Sequence, residues 1–294
     1  MKNSPENSYI PNDLGLLYSK LGRSEQALEW YNYALGVDPE NPSIYNNLGY
    51  EAYKQGQVEK AIEYYNKALG IMPNFVLALN NLGTALAEQG KPDEAIQAYL
   101  DALEVRPDDG NLHNSAGYQY FKRGDYDKAL DHYRQAIRLI PRFPLAYNNL
   151  GHLMRAQGKP AQALEHYRKA VEIHPHDAPG HFNIAELLRE QGKIDEALQH
   201  YARAVENDPT NTAMLNMLAN TLIRKGRLHE ALQYYQQALP VNPDRANANY
   251  NVAMMLKALG RFDEAIVYFR QALQANPDYA PAKAGLKDAR AGTR

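Results

Sequence analysis

The 294-residue chain has no cysteine, which excludes a disulfide framework, a thiolate nucleophile and a cysteine-type zinc site. Such a chain suits a reducing compartment, and a soluble, cytoplasmic protein is expected. The start, MKNSPENSYIPND, lacks the apolar core of a signal peptide. No apolar run approaches the roughly 18–20 residues that cross a bilayer. A formal net charge of −2 and a pI near 6.5 leave no basic stripe to neutralise phosphates, so nucleic acid is not an expected partner. Aromatic usage is lopsided: 22 Tyr stand against 6 Phe and a single Trp. Some recurring position demands tyrosine.

Catalytic signatures are also missing. The sequence contains no G-x-S-x-G, G-x-x-x-x-G-K-[ST], H-E-x-x-H or G-x-G-x-x-G. Paired acids such as Asp93 and Glu94 fall at expected helix starts, where capping explains them. His132, His166 and His200 recur 34 residues apart, and points strung along successive helices cannot meet around one ion. His174, His176 and His181 in HPHDAPGH could meet around a turn, or simply mark a polar loop. No catalysis, cofactor or metal is therefore expected.

What is present is a repeat. Steps of 34 from Gly22 meet glycine at 56, 90, 124, 158, 192, 226 and 260. Ala27 recurs as alanine seven more times, and Pro39 as proline at every step to Pro277. Tyr31 recurs as Tyr65, Tyr99, Tyr133, Tyr167, Tyr201 and Tyr235, with Phe269 last. From Gly15 the small residues Gly49, Gly83, Gly117, Gly151, Ala185, Ala219 and Ala253 follow. Eight units fill 8–279 without insertion or deletion: 8–41, 42–75, 76–109, 110–143, 144–177, 178–211, 212–245 and 246–279. Residues 1–7 are expected to be disordered, and 280–294 to form a capping helix and tail.

One unit, 42–75, shows the physics. Tyr45, Leu48, Gly49 and Ala52 share one face of a first helix, and Ala61, Tyr65 and Ala68 share one face of a second. Gly56 falls where a left-handed residue ends the first helix. Small residues at 49 and 61 let the backbones approach while Tyr65 fills the space beside them. Pro73 stops the second helix, and Pro42 suits the first turn of the next. Ile62 and Leu69 form a second stripe that only the neighbouring unit can bury, which makes an all-α solenoid.

These residues resemble the tetratricopeptide repeat family, whose period is also 34 residues. The resemblance spans 8–279, with a weak match only at the fourth position, where Tyr45 and Tyr147 alternate with His113, His181 and Asn249. It implies antiparallel helix pairs stacked into a right-handed superhelix, with first helices lining the concave surface. It does not imply a single function.

Helical angles of about 100° per residue place positions 2, 6, 9 and 13 of each unit opposite the core, flanked by 5 and 12. Position 6 holds Asn47, Asn81, Asn149, Asn183 and Asn251; position 5 holds Asn12, Asn46, Asn80, Asn114, Asn148 and Asn216. An amide carries donors and an acceptor, so such a row can pair with the main chain of an extended peptide. The alternative is that these amides tie neighbouring helices together, with position 5 aimed more towards the adjacent repeat. The NNLG units resemble the asparagine ladder in the superhelical repeats of O-GlcNAc transferase, although no glycosyltransferase portion is present. Tyr50, Tyr53, Tyr118 and Phe121 add aromatic surface, and Lys54, Lys122, Arg155 and Arg189 add positive charge. The family's chaperone-clamping members use Lys at positions 5 and 2 and Arg at 6; no repeat here does.

The sequence thus supports a non-enzymatic scaffold that holds a neutral-to-acidic protein segment or extended peptide. The alternatives are a self-assembling module, giving a homo-oligomer, and the substrate-recruiting arm of a glycosyltransferase-type complex.

Overall fold

A computed structural model describes residues 8–242 and 244–293; the expectation for residues 1–7 lies outside them. Among the described residues there are seventeen α-helices and no strand. The chain divides into two compact units, Met1–Gln157 and Gly158–Arg294.

In the first unit, α1 (Tyr9–Lys20), α3 (Pro42–Lys54), α5 (Val76–Glu88), α7 (Gly110–Arg123) and α9 (Pro144–Ala156) are first helices. Each of the first four packs on its own second helix: α2 (Ser24–Val37), α4 (Val58–Ile71), α6 (Pro92–Val105) and α8 (Tyr126–Leu139). The second unit opens on α10 (Pro160–Ile173). The hairpins α11 (Ala178–Glu190) with α12 (Ile194–Asn207), α13 (Thr212–Arg224) with α14 (Leu228–Ala238), and α15 (Arg245–Ala258) with α16 (Phe262–Ala275) follow. The last helix, α17 (Ala280–Gly292), packs on α16.

The repeating residues meet steric needs. Gly56 has φ +73° with open space around it, so its role is the left-handed turn rather than packing. Gly49 is the opposite case: a Cβ there would lie 2.5 Å from Cε1 of Tyr65, a ring only 1 % exposed. The tyrosine ring therefore fills the space that the missing side chain leaves. At the C-terminal end the same device recurs, with Gly285 of α17 seated against the ring of Phe269.

The demand for tyrosine over phenylalanine comes from the hydroxyl. It reaches the side chain at position 9 of the first helix. Tyr99 meets Thr84 at 3.1 Å, Tyr235 donates to Asn220 at 2.6 Å, and Tyr201 donates to Glu186. Where position 9 is Met254, the ring is Phe269. The rule is not universal: Tyr31 has Leu16 at position 9 and bonds Ser19 instead, and Tyr133 has a buried hydroxyl without a partner.

The stripe on the second helices is covered by the following repeat, as expected: Leu28 and Leu35 pack in a cluster with Ile44 and Leu48, and Ile62 and Leu69 in one with Leu79 and Leu82. The angular reading omitted part of this seam. Position 3 is buried in Ile44, Ala78, Leu112 and Ala146, and position 10 in Ala85 and Leu153. Trp30, Tyr64, Tyr234 and Tyr268 are half-buried on second helices.

Two local expectations are corrected. The acids of KPDEA, KIDEA and RFDEA do not cap their helices: the N-cap residues are Lys91, Lys193 and Arg261, with no side-chain cap hydrogen bond. Asp93 and Asp195 instead lie in the first turn and pair with Arg123 and Lys225 of the next repeat, at 2.6 and 2.8 Å. His176 and His181 line one pocket, but among the described residues His174, His176 and His181 form no metal-binding group. His181 Nδ1 faces Nδ1 of His200 at 3.0 Å, and His113 faces His132 in the same way at 3.0 Å. Two of the three histidines in the row on second helices, His132 and His200, thus find partners within their own repeats.

Candidate functional site

In the first unit, α5, α7 and α9 present one face to an open groove of about 780 Å³. Its wall brings together Asn114, Tyr118, Phe121, Lys122 and Asn149 of the expected surface. They lie on one face because 118, 121 and 122 are three and four residues apart on α7. Tyr118 is 43 % exposed, and Leu145 beside it on α9 is 53 % exposed. Lys122 Nζ stands 6.0 Å from the centroid of the Tyr118 ring.

The asparagines are arranged as rungs. Asn47 Nδ2 donates to Asn12 Oδ1, Asn81 Nδ2 to Asn46 Oδ1, and Asn149 Nδ2 to Asn114 Oδ1, each at 2.9 Å. Position 6 of one repeat is therefore tied to position 5 of the repeat before. Positions 5 and 6 act together rather than as separate groove and packing residues. Asn46 and Asn114 are buried, whereas Asn47, Asn81 and Asn149 are half-buried. Each rung spends one amide hydrogen. The second hydrogen and the carbonyl oxygen of Asn81 and Asn149 make no hydrogen bond among the described residues. The row is interrupted at Asn80, which is opposite Ser115, and Asn148 is buried.

Other expected residues are committed elsewhere. Lys54 Nζ lies 3.3 Å from Glu51 Oε1 and 5.7 Å from the Tyr50 ring centroid, at the seam with α1. Glu51 is fully buried there and accepts from the Ser19 hydroxyl. Tyr53 is pushed up to about 12 by its hydrogen bond to Glu88 and by burial. Arg155 is exposed, and its charge adds to the burial that holds His152 below its ordinary value.

In the second unit, Asn183 is buried, while Asn216 and Asn251 are half-buried and make no rung with each other. Phe182 and Met217 replace two further amides. The Arg189 guanidinium is held by Glu186 at 2.8 Å and by the Tyr201 hydroxyl at 3.2 Å, which raises its pKa further. Its charge is largely neutralised within the chain.

Sequence reasoning missed Thr84, Tyr99, Gln119, Leu145 and His152 as groove residues. Leu145 and His152 occupy positions 2 and 9, already assigned to the free face, so that angle was a sufficient signal. Gln119 sits at position 10, on the inter-repeat side, and carries none.

These paired hairpins define a helical repeat protein. The chain belongs to the tetratricopeptide repeat family: the model described as Cilia and flagella-associated protein 70 C-terminal domain matches residues 41–249, more than half of the chain. The models described as TPR repeat and Tetratricopeptide repeat match 15–55 and 246–279. Comparison with curated proteins gives no match. Among solved structures, one titled "Crystal structure of MamA protein" is similar at 26% identity, with a TM-score of 0.50, over 58% of this chain and 93% of that one. Another, "Crystal structure of APC/C hetero-tetramer Cut9-Hcn1", has 19% identity and a TM-score of 0.58 over 90% of this chain and 52% of that one. The latter likeness is one of fold. Among the described residues no helix is long and apolar enough to cross a membrane.

Proposed function

We propose that the protein is a non-enzymatic scaffold whose first-helix face holds an extended segment of a protein partner. The observation that carries this reading is the open groove of α5, α7 and α9, where exposed Tyr118 and Leu145 stand beside Asn149, an amide with unspent hydrogen-bonding capacity. Exposed aromatic and apolar side chains next to directed polar groups are what an anchored interface needs. The asparagine rows, which resemble the ladder of the O-GlcNAc transferase repeats, would contact the main chain of such a segment, so recognition there would depend little on sequence. A cytoplasmic site of action fits the cysteine-free composition.

The test is direct. Peptides selected on the full chain from a random display library should bind a Tyr118→Ala, Leu145→Ala double variant at least about tenfold more weakly, with helicity unchanged by circular dichroism. Selected peptides that bind both proteins equally would place the function off this groove.

A second reading, self-association, is favoured by one observation: Ile10, Leu17 and Leu21 on the outer side of α1 and its end are 67 %, 52 % and 60 % exposed. Mass by light scattering that stays monomeric as concentration rises would sink it.

A further inference from the structure

One polar group in the groove is left unsatisfied by the chain. Gln119 lines the cavity, is only 5 % exposed, and its Oε1 has no hydrogen-bond partner. A buried amide without partners is costly and calls for an explanation. The same position in the two flanking repeats holds Ala85 and Leu153, both fully buried alkyl side chains. An alkyl side chain therefore suits the position in the flanking repeats, although Glu51 and Thr221 place buried polar groups there in others.

Charge gives a second, independent observation. Lys122, three residues on from Gln119, makes no ion pair among the described residues. Its counterpart one repeat earlier is Glu88, which accepts a hydrogen bond from Tyr53. His152 opposite is held below its ordinary value by burial and by Arg155. The groove charge thus changes sign across one repeat, and the uncompensated end is positive. The exposed Tyr118 ring, the half-buried Phe121 ring and the exposed Leu145 side chain line the same groove.

We propose that this groove reads an extended peptide whose main-chain amide pairs with Gln119 once that side chain turns its sealed oxygen into the groove, and whose acidic side chain lies at Lys122, with an apolar or aromatic side chain seated on Tyr118, Phe121 and Leu145. This rests on the peptide-binding reading above and adds to it a sequence requirement and a direction. Glu88 repels the acidic residue at the other end, so the segment lies in one orientation.

The experiment starts from random dodecapeptides displayed on phage and selected on the full chain. Enriched sequences should pair Asp or Glu with a nearby Phe, Tyr or Leu. For one synthesised peptide, changing that acid to its amide should weaken binding about tenfold, and Lys122→Gln should make the two versions equal. N-methylation of one peptide bond should weaken binding to the wild type but not to Gln119→Leu, the pairing expected if these two groups touch. Leucine already occupies this position at 153, so the variant is expected to fold. Groove-dependent peptides that show neither preference and tolerate both variants within twofold would overturn this inference and leave the scaffold reading intact. If no peptide depends on the groove, both fall together.

Discussion

Asn81 on α5 donates its side-chain amide to the Asn46 carbonyl oxygen on α3 at 2.9 Å, joining two consecutive repeats on their groove side. Each rung is thus a structural bond before it meets any ligand. Replacing Asn81 by Ala should lower stability by about 0.5–1.5 kcal/mol as well as weaken peptide binding. Urea melts give the first quantity and titration calorimetry the second. Lost binding with unchanged stability would mean that the rung does not hold in solution.

The hydroxyls of Tyr235 and Tyr133 separate two situations. Tyr235→Phe should cost about 1 kcal/mol, because Asn220 loses its donor. Tyr133→Phe removes a buried hydroxyl without a partner and should be neutral or stabilising. Chemical denaturation of the two variants side by side checks this. Equal losses at both sites would refute the assignment.

Two glycines should fail for different reasons. Gly49→Ala drives a methyl into the Tyr65 ring and should cost about 1–3 kcal/mol by overpacking. Gly56→Ala meets no atom but keeps φ at +73°, costing about 1–2 kcal/mol in backbone energy alone. Combining Gly49→Ala with Tyr65→Leu should recover part of the first loss, whereas Gly56→Ala should gain nothing from it.

Burial and the neighbouring His113 push His132 down to about 4, and burial and His181 do the same for His200. Above the ordinary histidine value near 6.5, both rings are neutral folded or unfolded. As pH falls from about 6.5 towards 4, the unfolded chain binds protons that the folded chain refuses, so stability falls with pH across that window. Thermal melts should show Tm dropping there. His132→Tyr with His200→Tyr, the residue found at this position in Tyr64, Tyr234 and Tyr268, should flatten the slope. An unchanged slope would assign the acid sensitivity to other groups.

The lattice was legible because its residues are steric requirements repeated eight times. Gly49 must be small for Tyr65, and Gly56 must turn left-handed. The exposed rim at positions 2, 9 and 13 was legible for the same reason, since a single helix fixes angles. What escaped depends on pairs of helices. That the amides tie neighbouring repeats was the alternative reading and is what the rungs show. Angular arithmetic on α3 alone cannot pick Asn12 as the partner of Asn47, or show that Lys54 is drawn to Glu51. Nor can it show that His113 meets His132. Gln119 was invisible because its burial is set by the flanking repeat and its lack of a partner by every side chain around it.

The tyrosine hydroxyls that cross from the core to position 9 make the groove and the core chemically one object. A substitution at Asn220 that alters the surface offered to a ligand also strands the oxygen of Tyr235. Mutations at these paired sites should therefore be epistatic. Recognition at position 9 can change freely only after, or together with, a compensating exchange of tyrosine for phenylalanine, the combination already present in Met254 and Phe269.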